Sequence, residues 1–151
     1  MKIYVMRHGL SESNKKFTYS SEDTRLADEA KEQLLPVAKM LQKINFDEVY
    51  SSELLRARNS AEILGFNNVI TDKRINERDF GVFIGKTHEE CLRDLSFEYS
   101  SYQRDPIGYK IPDGESYHDV CSRVWSFLDE ISEKERLSNN PIMNFRPAPG
   151  D

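Results

Sequence analysis

The tripeptide Arg7-His8-Gly9 follows the short apolar run Ile3–Met6 and carries the side chains best suited to chemistry in this chain. A histidine can act as a nucleophile, and an adjacent arginine can hold an anion with its planar guanidinium group. Gly9 lets the backbone approach a ligand closely, because glycine has no Cβ. Taken alone, the tripeptide is weak evidence, since most such triplets are ordinary surface residues. Its value depends on the elements around it.

Those elements predict where the tripeptide lies. The run Ile3–Met6 is short and apolar, so residues 2–6 are predicted to form a buried strand. His8 would then lie at the carboxyl edge of a sheet, where open α/β sheets bind ligands. Later segments predict helices over 26–44, 53–64 and 116–135, and strands at 49–50 and 69–71. Pro36 is expected to kink the first helix or to mark the start of a new one. The alternation predicts an α/β fold with a mainly parallel sheet and helices on its faces.

The other two histidines are assigned to helix starts. The segment Thr87–Glu90 has the spacing of a capping box, which makes His88 a first-turn residue. Ser116 is predicted to begin a second such box, two residues before His118. The aromatic side chains around and after the first box could line a substrate cap, but most are expected to pack a small helical subdomain; they are Phe83, Phe97, Tyr99, Tyr102 and Tyr109.

Length, charge and cysteine content narrow the class of protein. With 151 residues, the chain suits one domain that can bury a core. A net charge of −5 argues against a nucleic-acid partner, and no apolar run is long enough to span a membrane. We find no signal peptide before Arg7. Cys91 and Cys121 lack metal-ligand spacing, so we expect reduced thiols in a cytoplasmic protein.

Three further clusters of polar residues follow the tripeptide along the chain. They are Ser51 to Ala57, Ile75 to Gly81 and Pro112 to Ser116, and each follows a predicted strand or opens a helix. The four clusters together resemble the histidine phosphatase superfamily, also called the phosphoglycerate mutase-like family. The resemblance covers roughly residues 1–136. It implies a three-layer α/β/α sandwich with a mainly parallel sheet.

The resemblance also implies roles for individual residues. In the family, the histidine of the Arg-His-Gly motif attacks phosphorus and becomes a phosphohistidine, and His8 matches it. Arg7 and Arg56 match the two arginines that hold the phosphate, whereas Arg58 lies two residues past the matching position. Glu77 matches the carboxyl group that protonates the leaving oxygen. No cofactor and no metal are implied. Four further residues are expected to contact the substrate: Gly9, Ser11, Asn14 and Glu115.

The end of the sequence departs from the family pattern. Relatives follow the long helix with a central strand that ends in Ser-His-Gly or Thr-His-Gly, and this second histidine belongs to the phosphate pocket. Nothing after His118 matches it, and the prolines between 139 and 151 are poorly suited to a central strand. We therefore predict a phosphatase-like domain over 1–136, with a helical cap at about 82–111, and an atypical tail over 137–151. The C-terminal part of the fold is expected to be missing or replaced. Either residues 142–145 fill the gap imperfectly, or exposed sheet edges cause self-association.

The function predicted from the sequence is hydrolysis of a small phosphomonoester through phospho-His8. One alternative is a cofactor-dependent phosphoglycerate mutase-type transfer, although the short segment between Gly81 and Pro112 is more typical of the phosphatase branch. Another alternative is a phosphate-binding remnant without catalysis, because the second histidine is missing. The sequence does not identify the substrate.

Overall fold

Residues 2–139 are described by the computed structural model. Strands β1 and β2 pair in parallel, with Tyr50 opposite Ile70 and Ser51 opposite Thr71. Helix α3 connects these strands, as a parallel pair requires. The predicted α/β class and parallel pairing are confirmed. In chain order, the helices and strands are α1 (Glu12–Lys16), α2 (Ala30–Leu41), β1 (Tyr50–Ser51), α3 (Leu55–Ile63), β2 (Ile70–Thr71), α4 (His88–Asp94), α5 (Ser96–Arg104) and α6 (Tyr117–Asn139), with short 3₁₀ helices at Lys73–Ile75 and Gly81–Phe83.

Residues 2–6 depart most from the predicted elements. They form no hydrogen-bonded strand with any residue in the range 2–139, and Val5 is 92% exposed to solvent. The prediction of a buried strand here is therefore wrong for the described part of the chain. A strand needs a neighbour for its backbone N–H and C=O groups. Within that part, β1 pairs with β2 and not with residues 2–6.

The helices follow their sequence signals more closely. Helix α2 begins four residues later than predicted and continues through Pro36. Helix α3 ends before Gly65, whose φ of 91° is the left-handed conformation that glycine favours. Helix α6 runs to Asn139, past the predicted end at 135 and into the predicted tail. The remainder of that tail, including residues 142–145, lies outside the described residues.

Two apolar clusters hold the helices in place. Leu34 and Ala38 of α2 pack with Leu64 at the end of α3. A second cluster, around Phe83 and Tyr99, joins α4 and α5 to the segment before α6. Most of the cap aromatics pack there as predicted, whereas Phe97 is exposed. The predicted cap thus has its own small core.

Both predicted capping boxes are present. The Thr87 hydroxyl accepts a hydrogen bond from the Glu90 N–H, and the Glu90 carboxylate accepts one from the Thr87 N–H. Ser116 and Asp119 make the same pair of bonds at the start of α6. His88 is the first residue of α4, as predicted.

Candidate active site

His8 and Gly9 are attached to α3 by a chain of two hydrogen bonds. The Gly9 N–H donates to Ser60 Oγ at 2.9 Å, and Ser60 Oγ donates to the carbonyl oxygen of Arg56 at 2.7 Å. A Cβ on Gly9 would lie 2.9 Å from Leu34 Cδ1 and 3.1 Å from Ala30 Cβ, so a larger residue here would make α2 side chains shift. The close approach of α2 therefore favours glycine at this position. Its expected contact with substrate stays a prediction.

The His8 imidazole presents its Nε2 atom towards Arg56. Nδ1 lies 2.7 Å from the Gly9 carbonyl oxygen, so Nδ1 carries the proton and donates it there. Nε2 accepts a hydrogen bond from Arg56 Nε at 3.3 Å. Burial lowers the pKa of His8 below 6.5, and the charges of Arg56 and Arg7 lower it further, against the opposing effects of the Gly9 carbonyl and Glu77. The ring is therefore neutral near pH 7, with a lone pair on Nε2.

Arg56 links this histidine to Glu77. It is the second residue of α3, directly beyond β1, and only 2% of its side chain is exposed. Nη2 donates to Glu77 Oε2 at 2.6 Å, and Nη1 donates to the Ser21 carbonyl oxygen at 2.8 Å. Arg58 on the same helix is exposed. The structure thus brings His8, Arg56 and Glu77 together.

An open cleft of about 390 Å³ lies beside Arg56 and Glu77, and His8 is not among its lining residues. Arg56 and Glu77 contribute to its lining, and Lys73, Glu115 and Arg123 extend the lining with further charges of both signs. The Glu77 side chain is 45% exposed. This volume suits a small polar ligand, and the exposed carboxyl group is accessible to it.

Three other predicted site residues, Ser11, Asn14 and Arg7, lie outside the group formed by His8, Arg56 and Glu77. Ser11 is fully buried and begins α1 as its N-cap, with its hydroxyl accepting from the Asn14 N–H. The Asn14 side-chain oxygen accepts from the Ser11 N–H in return. Arg7 is exposed, and its charge acts on His8. The capping box gives Ser11 and Asn14 a structural role, and their contact with substrate stays a prediction.

Glu115 lines the cleft, but both of its carboxylate oxygens already bind protein donors. Arg123 Nε donates to Oε1 at 2.8 Å, while Arg123 Nη2 and the Asp79 N–H donate to Oε2. The Arg123 guanidinium holds the pKa of Glu115 below its ordinary value, against the effect of burial. Contact between Glu115 and substrate stays a prediction.

The sequence interpretation missed Arg123, although α6 carried a signal for it. Arg123 lies three residues after Val120 and four before Phe127, so it falls on the helix face predicted to be apolar. A charged residue on such a face indicates a buried partner. Ser60 and Ser21 were also missed, and no sequence pattern marks them.

Two kinds of feature are absent from residues 2–139. No three or more His, Cys, Asp or Glu side chains of that range are grouped so that they could hold a metal ion. No helix among these residues has the length and apolar character needed to cross a membrane.

Comparison with known sequences gives the relationships of the chain. Residues 3–143 match the family model of the histidine phosphatase superfamily, branch 1. Phosphoserine phosphatase 1 of Hydrogenobacter thermophilus is 31% identical over 138 residues, which are 89% of this chain and 65% of that protein. The human 6-phosphofructo-2-kinase/fructose-2,6-bisphosphatase 4 is 31% identical over 137 residues, which are 89% of this chain and 29% of that protein. The chain thus spans less than two thirds of the length of both relatives.

Solved structures agree in fold with this chain. The alpha-ribazole phosphatase from Shigella flexneri superimposes with a TM-score of 0.81 at 27% identity, over 87% of this chain and 67% of that one. A mycobacterial glucosyl-3-phosphoglycerate phosphatase in complex with VO3 gives a TM-score of 0.74 at 27% identity, over 85% of this chain and 63% of that one. Since the family model covers most of the sequence and the fold agrees, this chain belongs to the histidine phosphatase superfamily, branch 1.

Proposed function

We propose that this chain hydrolyses a small phosphomonoester through a phosphohistidine on His8. One observation carries the proposal: Arg56 binds both His8 Nε2 and Glu77 Oε2, through different N–H groups. A single buried guanidinium therefore adjoins a neutral imidazole and an exposed carboxyl group. These are the nucleophile, anion-binding and acid groups that phosphoryl transfer needs.

In the first step, the lone pair on His8 Nε2 attacks phosphorus, and the bond from phosphorus to the ester oxygen breaks. The proton stays on Nδ1 and remains hydrogen-bonded to the Gly9 carbonyl oxygen, which stabilises the positive charge that develops on the ring. Arg56 turns its N–H groups from Nε2 and Glu77 to the phosphate oxygens, with Arg7 as the second cation. Glu77, released from Arg56, takes up a proton from solvent and gives it to the leaving oxygen.

In the second step, water attacks the phosphorus of phospho-His8. The Glu77 carboxylate accepts a proton from that water, and the bond from phosphorus to nitrogen breaks. Inorganic phosphate leaves, His8 Nε2 regains its lone pair, and Glu77 gives the proton back to solvent as it pairs with Arg56 again. No external oxidant, reductant or metal enters this sequence of bond changes.

The proposed substrate is a small phosphorylated molecule. The cleft is of small-ligand size, and it carries Arg56 and Lys73 to attract an anion. The named relatives support this class, since they are phosphatases of phosphoserine and of fructose-2,6-bisphosphate. We also propose a cytoplasmic location, supported by two unpaired cysteines, and cell fractionation tests it.

The function is tested by trapping the intermediate. Rapid acid-free quenching with 4-nitrophenyl phosphate should leave one phosphate on His8, seen by mass spectrometry. The variant His8→Ala should lose both the label and turnover, whereas His118→Ala, an exposed histidine at the start of α6, should keep both. Turnover that survives His8→Ala refutes the assignment.

The same assay separates the two alternatives left by the sequence. A mutase would return an isomerised phosphate ester rather than free phosphate, so both products are measured. A non-catalytic remnant would bind inorganic phosphate in calorimetry but give no label on His8. Free phosphate together with the label supports the hydrolase.

A further inference from the structure

We infer that Arg123 and Glu115 form a clamp that positions Glu77, and that Arg123 does not bind the substrate. This inference rests on the proposed role of Glu77 as general acid. The clamp acts on residues 74–79, called here the acid segment, which follow β2 and line the cleft. Because this segment has little regular structure, something outside it must hold the Glu77 side chain in place.

Arg123 supplies much of that hold. Its Nη1 donates to the carbonyl oxygens of Arg74 at 2.8 Å and Asn76 at 2.6 Å. Its Nη2 donates to the carbonyl oxygen of Glu77 at 3.2 Å and to Glu115 Oε2, and Nε donates to Glu115 Oε1. Three backbone carbonyls of the acid segment, including that of Glu77 itself, are therefore bound to one side chain on α6.

The donor count shows why Arg123 is not a phosphate ligand, although it lines the cleft. A guanidinium has five N–H donors, and each of the five has an acceptor in the protein. Arg56 differs, because two of its bonds go to His8 and Glu77, which the reaction itself rearranges. Arg123 would have to release the acid segment in order to bind substrate.

Glu115 completes the clamp from the other side. Its carboxylate accepts the Asp79 N–H at 3.0 Å, and its backbone N–H donates to the Asp79 carbonyl. Its carbonyl accepts from Arg78 Nε at 2.8 Å. The carboxylate also neutralises Arg123, whose side chain is 19% exposed. The acid segment is thus held at both ends, on either side of Glu77.

A lysine cannot replace this arginine. Lysine offers one nitrogen, whereas the acceptors around Arg123 are spread along a planar fork. Arg123→Lys therefore keeps the charge but loses most of the carbonyl contacts. The acid segment then samples more positions, and a displaced acid protonates the leaving oxygen poorly.

The first test compares leaving groups. Arg123→Lys should lower kcat about 10- to 10²-fold for an alkyl phosphate, which needs a protonated leaving group. It should change kcat less than about threefold for 4-nitrophenyl phosphate. KM should stay unchanged for both substrates, because no substrate contact is lost. In a Glu77→Gln background, Arg123→Lys should lower kcat by less than a further factor of about three. Equal losses for both substrates, a rise in KM, or full additivity overturns the inference.

The second test needs no turnover. Amide hydrogen exchange at residues 76–79 should become at least about tenfold faster in Arg123→Lys, with smaller changes elsewhere. Arg136→Lys is the matched arginine control on α6, since Arg136 bonds to Glu133 and not to the acid segment. Leu64→Ala controls for a general loss of stability. Unchanged exchange at 76–79, or an equal increase in Leu64→Ala, overturns the clamp.

The two proposals fail separately. If the wild-type chain forms no phosphohistidine, the proposed function is wrong, and the exchange measurement still decides whether the clamp exists. If the label forms but Arg123→Lys affects all leaving groups alike, the hydrolase stands and the positioning role is wrong.

Discussion

Arg56→Lys is the substitution that most directly tests the arrangement of the candidate site. Arg56 donates to His8 Nε2, the Ser21 carbonyl oxygen and Glu77 Oε2 at 3.3, 2.8 and 2.6 Å, and it is almost completely buried. Lysine retains the charge at this position but replaces three spread N–H groups by one nitrogen. It can therefore hold a phosphate oxygen at one point and not in bidentate fashion.

The expected magnitude follows from the contact that is lost. One hydrogen bond to a charged group contributes about 1.5–3 kcal/mol. Since about 1.4 kcal/mol corresponds to a factor of ten, Arg56→Lys should weaken phosphate binding about 10- to 10²-fold. The loss should appear in the Kd for inorganic phosphate and in kcat/KM for 4-nitrophenyl phosphate alike, because Arg56 contacts both ground state and transition state.

Calorimetry with inorganic phosphate and a continuous absorbance assay measure these two quantities. Arg58→Lys is the matched control, because it lies one half-turn away on α3 with an exposed side chain. We expect less than about a twofold change for it. Circular dichroism checks that both variants are folded. A folded Arg56→Lys protein that binds phosphate as well as wild type, or an Arg58→Lys protein that loses as much, refutes the reasoning.

Three further predictions concern the surroundings of this site. Because burial lowers the pKa of His8 below 6.5, kcat/KM should fall at acid pH with a midpoint below 6.5, and a kinetic midpoint above 6.5 contradicts this. The free energy of unfolding should also fall as the pH drops from about 6.5 towards that lower pKa, because the unfolded chain takes up a proton there and the folded chain does not. Gly9→Ala should lower the free energy of unfolding by about 1–3 kcal/mol in urea titrations, because its Cβ would meet Leu34, and an unchanged midpoint contradicts the packing argument. Residues 3–6 expose apolar side chains, so the chain should self-associate in sedimentation velocity at high concentration, and Val5→Lys should weaken that association; a wild-type monomer throughout contradicts it.

The starts of α4 and α6 were predictable from the sequence because they depend on local contacts. The capping boxes at Thr87 and Ser116 use side chains that bond to the backbone three residues away, so their spacing is sufficient to reveal them. Gly65 marks the end of α3 for a similarly local reason. The α/β class followed from the alternation of such elements. The strand predicted at residues 2–6 failed because pairing depends on a neighbour that its own apolar residues do not specify.

For the candidate site too, some features were predictable from the sequence and others were not. The motifs around His8, Arg56 and Glu77 were recognisable from residue types and order, and these three residues meet in the structure. Tertiary structure alone decided how they are held. Ser60 reaches Gly9 across 51 residues, and Arg123 reaches the Asn76 carbonyl across 47. Bonds to backbone carbonyls leave almost no trace in the sequence, because every residue carries a carbonyl and the geometry selects which one is bound. The sequence by itself therefore determined which chemistry was available, and the packing of α3 and α6 against the loops decided the position of each functional side chain.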